Sequence, residues 1–261
     1  MPDEMVRVEV KDHIAIMTLN QPEKRNPLSE KLCWALINKL NEAVENDEVH
    51  VILLTGAGNA FCAGGDLKEF TNYQRKSASA VYQEGKGTSE LFKALSSLTK
   101  PVIGAINGHA LGGGFGLAAA CHYSIAADTA KFGTTEIKLG LFPLVIMPAI
   151  IEAVGSKKAL ELGFSGEIFS AEKACKLGVV NKVVASSELL EEAFAFAKQL
   201  ASASPLALSI GLDYYNKARD MEWNKKIDYA NALRVMAFLS DDVKEGATAF
   251  LEKREPVWSG K

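Results

Sequence analysis

The chain lacks most of the features that announce a function on their own. Its four cysteines, Cys33, Cys62, Cys121 and Cys175, are widely spaced and form no C-x-x-C pair. A disulfide framework and a zinc site are thereby excluded as organising devices, and no metal is expected; the thiols read as reduced core residues. No apolar run reaches the roughly 18 residues needed to span a bilayer. The start, Met1-Pro2-Asp3-Glu4, is acidic and leads straight into a strand pattern, unlike a signal or transit peptide. The final Ser259-Gly260-Lys261 is not the peroxisomal tripeptide. A cytoplasmic protein is expected. Charge of one sign is also missing: the net charge is −3, which argues against a dedicated surface for nucleic acid or anionic membrane. The first helix is mixed in charge, with acids at Glu42, Glu45 and Asp47.

What is present is a core-forming composition. With 261 residues and 48% hydrophobic content, the chain suffices for one large domain, or one domain with a smaller appendage. Val6, Val8 and Val10, then Ile14 and Ile16, alternate with polar residues about Lys11-Asp12-His13 and predict a β-hairpin. Ser29 is a candidate N-cap for an amphipathic helix running to about Glu45, with Leu32, Ala35, Leu36, Leu40, Ala43 and Val44 on one face. Strands are predicted at Val49–Leu54 and Val102–Ile106, and a helix at Leu91–Leu98. Residues 71–88, polar with two glycines, read as a mobile segment around short helices. Val51-Ile52 precedes Gly64-Gly65 much as Val102-Ile103 precedes Gly112–Gly114; this offset of about 50 residues suggests stacked strand–strand–helix turns with their glycine loops side by side.

After Leu139 helices dominate. Ser170–Gly178 reads as a short capped helix, Leu189–Leu200 as amphipathic, Trp223–Leu239 as long, and Asp241 as the N-cap of a last helix. Weak strand character remains around Val179–Val184. A boundary near residue 200 divides an α/β core, residues 1–200, from a helical tail, 201–261, whose apolar faces call for a neighbouring subunit.

The glycine run 112–114 follows an apolar strand and opens an Ala-rich helix, so unpaired backbone N–H groups gather where an anion could sit. A dinucleotide site does not fit: G-x-G-x-x-G phasing from Gly112 and Gly114 requires glycine at position 117, which is Leu, and Asp128 is too close to serve as the ribose-binding acid. No P-loop occurs either. Two glycine loops could instead donate two N–H groups to one oxygen, stabilising an enolate or a tetrahedral oxyanion. Glu136, set between apolar residues in Phe132-Gly-Thr-Thr-Glu-Ile, could carry a proton at neutral pH if buried. A strand-end glutamate without a chemical role is the other reading. His109 and His122 lack a partner acid and read as structural; Cys62 reads as a small core residue rather than a nucleophile.

Four segments together resemble the crotonase (enoyl-CoA hydratase/isomerase) superfamily: Ala60-Phe-Cys-Ala-Gly-Gly-Asp-Leu67, Lys100 through Gly114, Phe132–Gly140, and Ala249-Phe-Leu-Glu-Lys-Arg254. The resemblance runs nearly end to end. It implies a spiral of ββα repeats followed by a helical trimerisation region, assembled as a homotrimer or a dimer of trimers. It also implies an acyl-CoA thioester as substrate, with coenzyme A part of that substrate and no separate cofactor. The family's oxyanion hole falls on the N–H groups of Gly65 and Gly113. Coenzyme A is then expected along Lys24, Arg25 and Pro27 and around Ala63, Asp66 and Leu67, with Lys253 reaching a phosphate, in its own or a neighbouring subunit. Hydratases of the family face one catalytic water with two glutamates; the first of those positions is Gly116 here and the second is Glu136. A glycine N–H that helps hold that water aligns with Leu144. Retention of the second acid alone resembles the enoyl-CoA isomerases. A hydratase with atypical water activation, an acyl-CoA decarboxylase and an inactive CoA-binding relative are the alternatives.

Overall fold

The computed structural model describes residues 4–261; the expectation for Met1–Asp3 lies outside them. The alternating valines form β1 (Val6–Lys11), which pairs antiparallel with β2 (Ile14–Leu19), Val10 opposite Ala15. Asp12 and His13, at φ +50° and +63°, make the two-residue turn whose twist suits a hairpin. Ser29 caps α1 (Glu30–Glu45) as expected, its Oγ accepting the Leu32 N–H at 3.2 Å.

Strands β3 (Val51–Gly56), β5 (Val102–Ile106), β7 (Tyr123–Ala127) and β10 (Lys182–Val184) extend the hairpin into a six-stranded sheet of order β1-β2-β3-β5-β7-β10, parallel from β2 onward. Four short strands, β4 (Ala60–Cys62), β6 (His109–Leu111), β8 (Lys131–Gly133) and β9 (Phe169–Ser170), form a second sheet in that order. Beyond the hairpin, each turn of chain therefore contributes one strand to each sheet. The offset seen in the sequence is the register itself, with Ile52 beside Val102 and Ala60 beside His109.

Residues 71–88, read as a mobile segment around short helices, hold the end of α2 (Leu67–Tyr73), all of α3 (Ala78–Glu84) and the start of α4 (Lys86–Leu95). The last replaces the helix predicted at Leu91–Leu98, beginning earlier and stopping short of Pro101 because the chain must be extended before a proline. Helix α5 (Gly113–Ala120) follows the glycine run; α6 (Met147–Val154), α7 (Ser156–Ser165) and α8 (Ala171–Leu177) follow β8, and α8 is capped by Ser170 and closed by Gly178 at φ +89°. Phe61, Phe115 and Phe132 fill the larger core between the sheets and α1, α4 and α5. A second core lies beneath α9 (Leu189–Ala201), where Leu189, Ala193 and Ala197 meet Ile14, Leu53, Ile103 and Ile125.

Helices α10 (Pro205–Ala218), α11 (Trp223–Phe238) and α12 (Asp241–Glu252) end the chain. Helix α10 has no clear counterpart in the sequence pattern. The cap of α12 is Ser240 rather than Asp241: the Ser240 Oγ accepts the Val243 N–H at 3.1 Å, and Asp241 is the first helical residue. Asp242, also in the first turn, is buried and its Oδ1 accepts the N–H groups of Ser259 and Gly260, tying down the tail. Trp223, Phe238, Leu239, Phe250 and Leu251 are exposed. Among the described residues no helix is long and apolar enough to cross a membrane.

Candidate active site

The first loop of the site is pinned by a residue that no motif singled out. Asn26 is fully buried at φ +53°. Its Nδ2 donates to the carbonyls of Ala57, Ala60 and Phe61 at 3.0, 2.8 and 3.2 Å, and its Oδ1 accepts the Gln21 N–H at 2.8 Å. Asparagine tolerates this left-handed backbone, so the loop turns back on β4. There the Ala63 N–H donates to the Arg25 carbonyl at 2.9 Å and the Leu28 N–H to the Gly64 carbonyl at 2.7 Å.

The second loop lies directly against the first. A Cβ on Gly114 would sit 2.0 Å from the Cys62 carbonyl oxygen, so glycine is required for α5 to start this close to β4. A Cβ on Gly64 would sit 2.9 Å from the Leu111 carbonyl oxygen, with Gly112 and Gly113 in contact beyond it, and the two glycine loops are side by side as the repeat suggested. Among the described residues, the N–H groups of Gly65 and Gly113 have no protein acceptor. That of Gly113 also opens α5, where unpaired donors and the helix dipole favour negative charge.

Glu136 lies on the 3₁₀ turn Thr135–Leu139, just beyond β8. The turn is held from behind by the Thr134 hydroxyl donating to the Leu162 carbonyl at 2.7 Å, and from the side by the Gly112 N–H donating to the Gly133 carbonyl at 2.8 Å. The carboxylate is half-buried; its Oε2 is shielded from solvent and has no hydrogen-bond partner. Burial, the larger influence, raises its pKa above the ordinary carboxylate value against a smaller lowering by a backbone hydrogen bond.

Gly65, Gly113 and Glu136 line one cavity of about 880 Å³, together with Lys24, Pro27, Ala63, Asp66, Leu67 and Leu144. Every residue expected to meet thioester or coenzyme A is thus gathered there except two. Arg25 uses its backbone to hold Ala63 while its exposed side chain stays outside the lining, and Lys253, a left-handed residue closing α12, also lies away from this cavity. Two donor N–H groups and one lifted carboxylate on the same cavity can hold a carbonyl oxygen while moving a proton at the neighbouring carbon.

Residues 9–261 match the family model described as enoyl-CoA hydratase/isomerase. The chain belongs to the enoyl-CoA hydratase/isomerase family. It is 35% identical over 257 residues to the (E)-benzylidenesuccinyl-CoA hydratase of Thauera aromatica, covering 98% of this chain and 99% of that protein. Its fold matches the crystal structure of an enoyl-CoA hydratase from Mycobacterium smegmatis with a TM-score of 0.93 at 30% identity, covering 98% of this chain and 99% of that one. Against an enoyl-CoA hydratase from Bacillus anthracis the TM-score is 0.92 at 32% identity, covering 98% and 100%. The architecture is the crotonase fold, as the resemblance implied.

Gly116, the position that the resemblance implied for the first hydratase glutamate, leaves no room for a side chain. A Cβ on Gly116 would lie 2.4 Å from both Cβ and Cγ2 of Ile146 and 3.0 Å from the Phe92 ring. The N–H of Leu144, where the resemblance implied a water-holding donor, is spent on the Phe142 carbonyl at 2.7 Å.

His122 is structural on one edge, its Nδ1 accepting the Val102 N–H at 2.9 Å. Burial pushes the Cys62 thiol up to about 12, which suits an inert core residue. Sequence reasoning missed Lys68 and Lys138, which join Lys24 on the cavity lining, and Phe70, whose ring lies over Gly65. Lysines one turn or less from a recognised glycine or acid were the available signal for the first two.

Proposed function

We propose that the protein isomerises 3-enoyl-CoA thioesters to 2-enoyl-CoA thioesters, with Glu136 as the sole proton shuttle. The Glu136 carboxylate takes a proton from C2. The electron pair moves onto the thioester oxygen, held by the Gly65 and Gly113 N–H groups, and the resulting dienolate recovers the same proton at C4. One C–H bond breaks and one forms, and the double bond moves from C3=C4 to C2=C3. The step is redox-neutral and needs no cofactor beyond the coenzyme A of the substrate. Each donor of such an oxyanion hole typically supplies about 3–4 kcal/mol of transition-state stabilisation. Lys24, Lys68 and Lys138 on the cavity lining suit the phosphates of coenzyme A, with Pro27, Ala63, Asp66 and Leu67 along its path and Lys253 supplied from a neighbouring subunit.

The observation that carries this reading is the loss of both other water-positioning groups. Ile146 fills the place beside Gly116, and Leu144 has an occupied N–H. Hydration needs a base for water and an acid for the α-carbon, whereas a double-bond shift needs one group. The relatives named as hydratases favour hydration as the second reading. Incubation with 2-enoyl- and 3-enoyl-CoA thioesters, followed by mass spectrometry, separates the two: isomerisation leaves mass unchanged and hydration adds one water. Hydration of 2-enoyl-CoA at ordinary hydratase rates, with 3-enoyl-CoA untouched, overturns the proposal.

We assign residues 1–200 to the acyl-CoA-binding core and 201–261 to oligomerisation. Exposed Trp223, Phe238, Leu239, Phe250 and Leu251 on α11 and α12 support a homotrimer or dimer of trimers. We also propose a cytoplasmic location.

A further inference from the structure

The Gly65 donor sits where the chain bends out of a short bridge into a helix. Leu28 and Gly65 form an isolated parallel bridge, in which the Leu28 N–H donates to the Gly64 carbonyl at 2.7 Å. The backbone pairing stops there, because the chain after Gly65 turns into α2, with the Asp66 Oδ1 accepting the Lys68 N–H at 2.9 Å as its cap. On the other strand of the bridge Ser29 is still extended, at φ −74° and ψ 158°, so the N–H groups of Leu28 and Glu30 leave the same edge. The Glu30 N–H therefore needs an acceptor that the backbone no longer offers. Glu69 supplies it: both of its carboxylate oxygens lie 3.2 Å from the Glu30 nitrogen.

What Glu69 holds is a wall of the catalytic cavity. Phe70 follows it on α2, and the tip of its ring rests on the α-carbon of Gly65, where an added Cβ would lie 2.4 Å from Cζ. Lys68 precedes it, and all three residues line the cavity. The α1 end of this clamp is itself anchored. The Glu30 carboxylate accepts the Gly87 N–H, in the first turn of α4, at 3.0 and 2.9 Å, and the Trp34 Nε1–H at 2.8 Å. Two carboxylates in series thus tie α2 to α1 and α1 to α4, each seated on a helix N-terminus whose free N–H groups favour it.

Glu69 is half-buried. Burial, the largest influence, raises its pKa above the ordinary carboxylate value and the charges of Asp66 and Glu30 raise it further, against lowering by the Glu30 N–H bond and by Lys31. The position therefore calls for an acceptor of this reach rather than for a charge.

We propose that Glu69 is a positioning residue for the oxyanion hole: by accepting the Glu30 N–H it fixes the turn at Gly65 and Asp66 and the Phe70 ring, and so aims the Gly65 N–H at the thioester oxygen. The inference deepens the acyl-CoA reading of the cavity and rests on it. Glu69 acts through Gly65 and needs no contact with the reacting atoms. Without its bond, α2 is free to move off α1, and Gly65 keeps only the Leu28 bridge on one side of the bend.

Infrared spectroscopy of bound butyryl-CoA, labelled with carbon-13 at the thioester carbonyl, tests this without relying on turnover. The frequency is read from bound thioester alone, so a fraction of unfolded protein does not alter it. In the wild type the two donors should lower the carbonyl stretch below its value in water. Glu69→Ala should lose most of that lowering, and kcat should fall about tenfold, a part of the roughly 10²–10³-fold that removing an oxyanion-hole donor outright costs. Glu69→Asp keeps the charge but draws the acceptor back by one methylene, and should behave as the alanine variant does. Glu69→Gln, whose Oε1 can still accept the Glu30 N–H, should keep both the lowered stretch and the wild-type kcat. An unchanged stretch in the folded alanine and aspartate variants, or a glutamine variant as impaired as they are, overturns the inference. A wild-type stretch equal to that in water overturns the oxyanion-hole reading and the inference with it. If the stretch follows the expected order but 3-enoyl-CoA is not isomerised, the reaction reading alone fails and the role of Glu69 stands.

Discussion

The carboxylate of Glu136 rests against the α-carbon of Gly112: a Cβ built on that glycine would lie 3.0 Å from Oε1 and 3.5 Å from Oε2. Gly112 has φ +51° and ψ −123°, a conformation that only glycine adopts without strain. Gly112→Ala should therefore displace the carboxylate as well as strain the loop. We expect kcat for the thioester reaction to fall by about 10²-fold, the scale on which misplacement by about 1 Å acts, with KM changed less. Steady-state kinetics on the folded variant check this.

Glu136→Gln removes the shuttle and keeps the shape. Isomerase turnover should fall by about 10²–10⁴-fold, with acyl-CoA binding by calorimetry unchanged. The wild-type rate should also fall as pH drops through the raised pKa of Glu136, above the ordinary carboxylate range, because only the ionised form takes a proton. Stability has the opposite sense. A carboxyl whose folded pKa is raised contributes stability below its unfolded pKa, and that contribution is lost as pH rises through the folded value. The glutamine variant, free of this loss, should melt above wild type at neutral pH, and the difference should shrink in acid. Thermal melts across that range measure it.

Gly116→Glu by itself should not create a hydratase. The new Cβ meets Ile146 at 2.4 Å, an overpacking that typically costs about 1–3 kcal/mol. We expect a lower melting temperature and no hydration of crotonyl-CoA. Pairing it with Ile146→Gly removes both clashing atoms, Cβ and Cγ2, and should recover part of that stability. The double variant should then show water addition by mass spectrometry.

Asn26→Ala leaves the carbonyls of Ala57, Ala60 and Phe61 without their side-chain donor. Unmet buried groups cost about 1–3 kcal/mol each, so denaturant unfolding should show a large loss of stability. In any fraction that folds, KM for the thioester should rise more than kcat falls, because this loop carries Lys24 and Pro27 to the cavity.

Much of the site was legible because it is built from residues whose chemistry is local. Gly65 and Gly113 lie in loops that follow the predicted strands Val49–Leu54 and Val102–Ile106 at the same offset, whereas the three-residue strands β4, β6 and β8 directly before Gly65, Gly113 and Glu136 are too short to show a periodicity. Asn26 was not legible, because its role depends on carbonyls 31 to 35 residues away. The closing of the Gly116 position by Ile146 joins two parts of the chain that no short-range pattern relates. Helix α10 went unread because its hydrophobic residues are mostly half-buried, without the deep apolar stripe that marks α1. Helix α4 overlaps the helix predicted at Leu91–Leu98, whereas the bounds of α2 and α3 were blurred by polar composition, and their caps at Asp66 and Ser77 were the overlooked signal.

The pairing of β4 with β6, irregular between Ala60 and Cys62, has a bearing on how the molecule comes to be active. Gly65 follows one of these strands and Gly113 the other, so neither turn holds a complete pair of donors. The first turn must wait for residues about 50 positions later, a closure whose entropy is met before any contact rewards it. Catalytic competence should thus arrive late in folding and all at once, when the two turns lock in register, and a refolding experiment followed by activity should lag one followed by helix content.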